Sequence, residues 1–148
     1  MDTLENIEIW FRAAKPEPTT RDLSVQIGCH LEEVAEMLQA IECSDKRAID
    51  DAWTAIGILA DKLKSGDVSV TGYNAKELLD STRDQCVTGV GVDYMIGADP
   101  VGAQREVNRS NWSKFVDGKP VFNEQGKIAK GPGYTPPDLS GFVCINNT

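Results

Sequence analysis

Apolar residues recur at helical spacing along the first 115 positions of the chain, and this spacing predicts five helices. Leu4, Ile7, Trp10 and Phe11 mark a helix over residues 3 to 14. It should stop before Lys15-Pro16-Glu17-Pro18, because a residue that precedes proline is pushed out of the helical region. From Asp22 to Ile41, the side chains Ile27, Leu31, Val34, Leu38 and Ile41 follow steps of four and three. On a helical wheel they fall within about 40° of one direction, a narrow apolar stripe. A third helix runs from Asp45 to Lys64 through Trp53, Ile56, Leu59 and Leu63, and should end near Ser65-Gly66-Asp67. The fourth opens at Asn74, a good N-cap, and continues through Leu79, Cys86, Val90 and Tyr94 before Gly97. Gly89 and Gly91 lie inside it, each costing a helix about 0.5–1 kcal/mol relative to alanine. A close approach by another helix or a ligand is therefore expected there. A fifth helix begins at Asp99-Pro100, with proline at its first position, and runs to about Phe115.

Beyond residue 115 the periodicity disappears. Residues 116–148 are rich in Gly, Pro and Asn, with turn signals at Asp117-Gly118 and Gln125-Gly126 and a short hairpin pairing Pro120–Phe122 with Lys127–Ala129. Such a segment is too sparsely apolar to be its own domain, so it should wrap a surface or cover a site. The expected organisation is an all-α domain: a helical core over 1–115 and an irregular tail over 116–148. A length of 148 residues and 41% hydrophobic content suffice for one core without disulfide or zinc staples.

Charge narrows the range of partners. The formal net charge is −8, which argues against duplex nucleic acid as the main ligand. Between Arg105 and Lys130, however, six basic residues stand against three acids, a local +3 that leaves −11 for the rest. Small anions are therefore compatible with the tail. Cys29, Cys43, Cys86 and Cys144 show no C-x-x-C pairing and are expected to be reduced thiols. The N-terminus carries no charged and then apolar leader pattern, and no apolar run reaches bilayer length, so a soluble cytoplasmic protein is expected.

Two carboxylate clusters carry the candidate chemistry. Glu32-Glu33-x-x-Glu36 flanks the apolar stripe of the second helix, and Glu77-x-x-Asp80-x-x-x-Asp84 lies in the fourth. Like charges at i, i+4 destabilise an exposed helix by about 0.2–0.5 kcal/mol per pair. A divalent cation would reverse that sign, and oxygen-only ligands suit Mg²⁺ or Mn²⁺. Ions so held could grip phosphate oxygens and activate a water, with Glu32 or Glu33 accepting its proton. Taken alone, E-E-x-x-E is an ordinary solvated helix face; the second cluster and the basic tail favour the metal reading.

Together these motifs resemble the all-α nucleoside triphosphate pyrophosphohydrolases, the MazG-like group that includes phosphoribosyl-ATP pyrophosphatase. Asp84 followed by QCVTGVGVDYMIGAD fits that group's second motif, with Gly97 and Asp99 in place. Ser81 stands where the motif has glutamate, so Asp80 or Glu77 would have to take that part. The segment EVNRSNWSKFVDGKPVFNEQGKIAKGPGYTPPDL resembles the tail of a phage and bacterial branch of the group. The resemblance implies a four-to-five-helix bundle completed between chains in a dimer or a dimer of dimers. It implies two or three Mg²⁺ or Mn²⁺ ions on Glu33, Glu36, Asp80 and Asp84, with Glu32 a further ligand or base. Asn108, Asn111, Lys114, Lys127 and Lys130 become candidates for phosphate contact. The reaction implied is cleavage of a (d)NTP to (d)NMP and pyrophosphate. One phage sub-branch with this tail acts on dGTP or GTP for 2-aminoadenine nucleotide synthesis, which would place the protein in a host cytoplasm. The alternatives are phosphoribosyl-ATP hydrolysis in histidine synthesis and a non-catalytic nucleotide-binding helical module.

Six further side chains invite two readings each. His30 lies one turn before Glu33 but is a poor match for a hard cation, so packing is expected. Trp10, Trp53 and Trp112 could stack on a base, with Trp10 or Phe11 the first candidate, yet all three sit at core-like spacing. Gln26 stands one helical face from Glu33 and serves equally as a base or phosphate contact or as solvated filler.

Overall fold

The computed structural model describes residues 3–143. It is all-α: five helices, and no strand among the described residues. They are α1 (Thr3–Ala14), α2 (Thr20–Gln39), α3 (Lys46–Ser65), α4 (Ala75–Met95) and α5 (Pro100–Trp112). No helix among the described residues is long and apolar enough to cross a membrane. The chain divides into two compact units. One contains residues 17–72 with Phe122–Lys127; the other contains residues 3–16, Tyr73–Val121 and 128–143.

In the first unit, local chemistry fixes the ends of α2 and α3. Thr19 and Asp22 form a capping box, each side chain accepting the other's backbone N–H, at 3.2 and 2.9 Å. Asp45 caps α3 through the Ala48 N–H at 3.0 Å, and Gly66 ends it at φ 94°, a left-handed conformation that suits glycine. The Arg21 guanidinium crosses from α2 to donate to the carbonyls of Leu63 (2.8 Å) and Lys64. It thus answers acceptors that the end of α3 leaves open.

The face that joins α2 to α3 is not the predicted stripe. Ser24, Val25, Gly28 and Ala35 are the buried residues of α2, whereas Ile27, Leu31, Val34 and Leu38 are only half-buried and Ile41 is exposed. The reason is distance between helix axes. A Cβ on Gly28 would stand 2.8 Å from the Ala60 carbonyl oxygen, 2.9 Å from Lys64 Cγ and 3.2 Å from Leu63 Cβ. Backbones this close admit only small side chains, and the larger apolar ones are left beside the seam. Buried Ser24 satisfies its hydroxyl by donating to the Thr20 carbonyl and accepting from the Val70 N–H.

The second unit is built around aromatic residues. Trp10 and Ala14 of α1 bury against Phe115, with Phe11, Trp112 and Ile128 packed around them. The Trp10 ring stacks on Phe115 at 5.7 Å and meets the edge of Phe11 at 4.9 Å. Both indole N–H groups are satisfied, Trp10 by the Asn111 carbonyl and Trp112 by Asn6 Oδ1. Asn74 caps α4 and Asp99 caps α5, with Pro100 at the first helical position, as the sequence predicts. Helix α5 stops at Trp112, three residues before the predicted end.

The tail supplies tight turns rather than strands. Asp117 and Gly118, at φ 49° and 73°, connect a single bridge between Val116 and Lys119. The expected hairpin contacts are present: Ala129 N–H donates to the Val121 carbonyl and Asn123 N–H to the Lys127 carbonyl.

Helix α4 differs from the others, because it has no buried residue. Leu79, Val87, Tyr94 and Met95 are 62–82% exposed. No described atom beyond the helix lies within 4 Å of a Cβ added at Gly89 or Gly91, so no described residue makes the close approach expected there.

Candidate functional site

Helices α2 and α3 enclose a groove of about 330 Å³ lined by Glu32, Ala35, Glu36, Trp53, Thr54, Gly57, Ile58, Ala60 and Asp61. Its depth follows from the small residues of the seam, and its polarity from three carboxylates. Glu32 and Glu36 occupy successive turns of α2, and Asp61 faces them from α3. Asp61 escapes a reading based on acidic clusters, since it is a single acid in a basic helix end. Its signal is its place one residue after Ala60, on the side of α3 that meets α2.

Glu32 is the most constrained of the three. Its Oε1 accepts from the Lys64 ammonium at 2.9 Å and its Oε2 from the Lys127 ammonium at 2.7 Å. Lys64 also pairs with Asp61 at 3.2 Å. Partial burial works against the Glu32 charge, but the two lysine hydrogen bonds outweigh it and hold the carboxyl below its ordinary pKa. The same balance raises both lysines above theirs, against the burial that would lower them. Cys29, one turn before, is a free thiol pushed up chiefly by burial.

These pairs depend on the packing already described. The Lys64 stem lies across Gly28, and its ammonium emerges one turn further on at Glu32. Lys127 is delivered by a turn in which Asn123 Oδ1 accepts from the N–H groups of Gln125 and Lys127, and Gly126 takes φ 81°. Neither lysine could be paired with Glu32 by spacing, since they stand 32 and 95 residues away.

The remaining candidates are distributed as follows. Glu33, Gln26 and His30 are exposed on α2. Glu77, Asp80 and Asp84 are exposed on α4, in the other unit. Asn108 is buried, with its amide donating to the Thr3 carbonyl and its oxygen accepting from Gln104. Asn111 accepts from Lys114, whose ammonium lies 5.8 Å from the Trp10 ring centre. Lys130 lies over Tyr134 at 4.8 Å. Asn108 and Asn111 thus hold the fold of their unit together, and Trp10, 7% exposed, is core rather than a stacking platform. Trp53, by contrast, is 41% exposed on the groove. Cys43 and Cys86 are free and exposed; Cys144 falls outside the described residues.

For a hard dication the donor chemistry of the groove is right, carboxylate oxygens without competing thiols. Its placement is incomplete: among the described residues no group of three or more His, Cys, Asp or Glu side chains comes together to hold a metal ion. No family model, no curated protein and no solved structure matches the chain.

Proposed function

We propose that the protein is a metal-dependent nucleoside triphosphate pyrophosphohydrolase of the MazG-like kind, releasing pyrophosphate from a (d)NTP. The observation that carries this reading is the α2–α3 groove, where two acids of the E-E-x-x-E motif meet Asp61 beside two lysines. Carboxylate oxygens suit Mg²⁺ or Mn²⁺, and ammonium groups next to them suit phosphate oxygens. In this reading Glu33 and Glu36 of α2 supply oxygen to the cations, and Asp61 joins them; Asp80 and Asp84 remain ligand candidates from the second motif. A bound dication would supply charge neutralisation and a more acidic water. Lys64 keeps Glu32 ionised and oriented at the groove, and exposed Trp53 replaces Trp10 as the side chain available to stack on a base. The preferred substrate proposed is dGTP or GTP, as in the phage sub-branch whose tail this one resembles.

The same reading includes self-association. Helix α4 presents Leu79, Val87, Val90, Tyr94 and Met95 to solvent, and α2 leaves its stripe half-covered. Exposed apolar helix faces of this kind mark an interface, and a second copy carries matching ones. A dimer would also bring further carboxylates to an incomplete set.

The test is a panel of ribo- and deoxynucleoside triphosphates with Mg²⁺ or Mn²⁺, reading pyrophosphate. Turnover by the wild type, abolished in Glu36→Gln and Asp84→Asn with helicity intact, is the expected result. Full activity in both variants would remove the proposed ligands. The lysine-compensated Glu32 favours a second reading, a non-catalytic nucleotide-binding module. That module would keep its nucleotide affinity in EDTA and release no pyrophosphate with either metal.

A further inference from the structure

Helix α4 is 21 residues long and buries none of them. Along it Leu79, Arg83, Cys86, Val90 and Asp93 follow steps of four, three, four and three. At 100° per residue they share a strip roughly 80° wide, the a and d spacing of a coiled-coil seam. Leu79 and Val90 are 62% and 48% exposed, and Cys86 is an exposed free thiol. Arg83 and Asp93, the two charges in the strip, form no ion pair among the described residues. Gly89 stands beside the strip, where a Cβ would meet no described atom within 4 Å. A glycine there weakens the helix and gains nothing from its own chain.

We propose that α4 pairs antiparallel with α4 of a second copy, in the register that sets Arg83 of each chain against Asp93 of the partner subunit. This pairing rests on the self-association proposed above and fixes its helix, direction and register. A two-fold axis across Thr88 carries position 83 onto 93 and position 86 onto 90, so every a position meets a d position. Arg83 then meets opposite charge in both halves of the seam, and Cys86 packs on Val90 of the partner subunit. On one flank Gly89 lies beside its own copy, where the missing Cβ lets the two backbones close. On the other, exposed Val87 lies beside its own copy. A parallel pair would instead put Arg83 on Arg83 and Asp93 on Asp93, repulsions that disfavour it. The charges of the strip are thus complementary to the same strip reversed, which is what a second copy presents.

Sedimentation velocity of the full chain, with circular dichroism to confirm helicity, tests the pairing by charge reversal. Arg83→Asp and Asp93→Arg should each weaken the dimer about tenfold, because each turns both symmetric attractions into repulsions. The double variant, which restores them with the signs exchanged, should return to within about threefold of wild type. Val90→Cys under mild oxidation should give an interchain disulfide from Cys86 to position 90, mapped by mass spectrometry. Single variants as tight as wild type, or a double variant no tighter than the singles, would overturn the pairing and leave self-association standing. So would Cys86 linked to Cys86 in place of position 90. A wild type that stays monomeric at every concentration reached would overturn both.

Discussion

Substituting Gly28 by alanine sets two opposed effects against each other, and the structure decides between them. Alanine in a helix interior is worth about 0.5–1 kcal/mol over glycine, from reduced freedom of the unfolded chain. At Gly28 the added methyl would meet the Ala60 carbonyl oxygen at 2.8 Å and Lys64 Cγ at 2.9 Å. The lysine stem can rotate away, but the carbonyl belongs to the α3 backbone and moves only if the helix does. Overpacking of this type costs about 1–3 kcal/mol, so a net loss of about 1–2 kcal/mol is expected. For a chain of this size that is a Tm lower by about 3–6 °C. Gly57→Ala is the control, because its Cβ would meet no described atom within 4 Å and the same propensity term acts alone. Urea denaturation followed by helical circular dichroism should therefore move the two variants in opposite directions. Gly28→Ala as stable as wild type, with Gly57→Ala stabilised, would refute the close seam and the route by which Lys64 reaches Glu32.

Two further outcomes follow from the second unit. Trp10→Ala removes an indole that stacks on Phe115 and donates to the Asn111 carbonyl, and should cost about 3–5 kcal/mol in denaturant unfolding; a loss below about 1 kcal/mol would show that Trp10 is not core. The Glu106 carboxyl, held by the Arg109 guanidinium and the Asp138 N–H, is lowered from 4.5 to about 2. Its folded value lies below its unfolded one, so its contribution is complete above about pH 4.5 and is lost as pH falls toward 2. The Asp138 amide signal should report that titration by nuclear magnetic resonance, and a midpoint near 4.5 would show that the Arg109–Glu106 pair does not form.

Much of the fold was legible because helix ends are written locally. Asn74, Asp45, Asp99-Pro100 and Gly66 act within a turn of themselves, and the structure uses each where the sequence places it. The packing was less legible. Ranking positions by hydrophobicity selects Ile27, Leu31 and Val34, whereas the buried residues of α2 are Ser24, Val25, Gly28 and Ala35, of which only Val25 is a large apolar side chain. At the groove, Glu32 and Glu36 could be named from their motif, but Asp61, Lys64 and Lys127 became neighbours only through the seam and the tail turn. Asn108 and Asn111 show the converse. The resemblance offered them for phosphate contact, and the hydrogen bonds that tie α5 to α1 and to Lys114 are written in no motif.

The proposed reaction requires acidic side chains of α2 to serve as ligands to a dication. Crystals grown with Mn²⁺ and a non-hydrolysable nucleoside triphosphate analogue, measured for manganese anomalous scattering, address that directly. Anomalous peaks are expected against the carboxylates of Glu33 and Glu36. A map with the analogue bound and no peak at either carboxylate would contradict it.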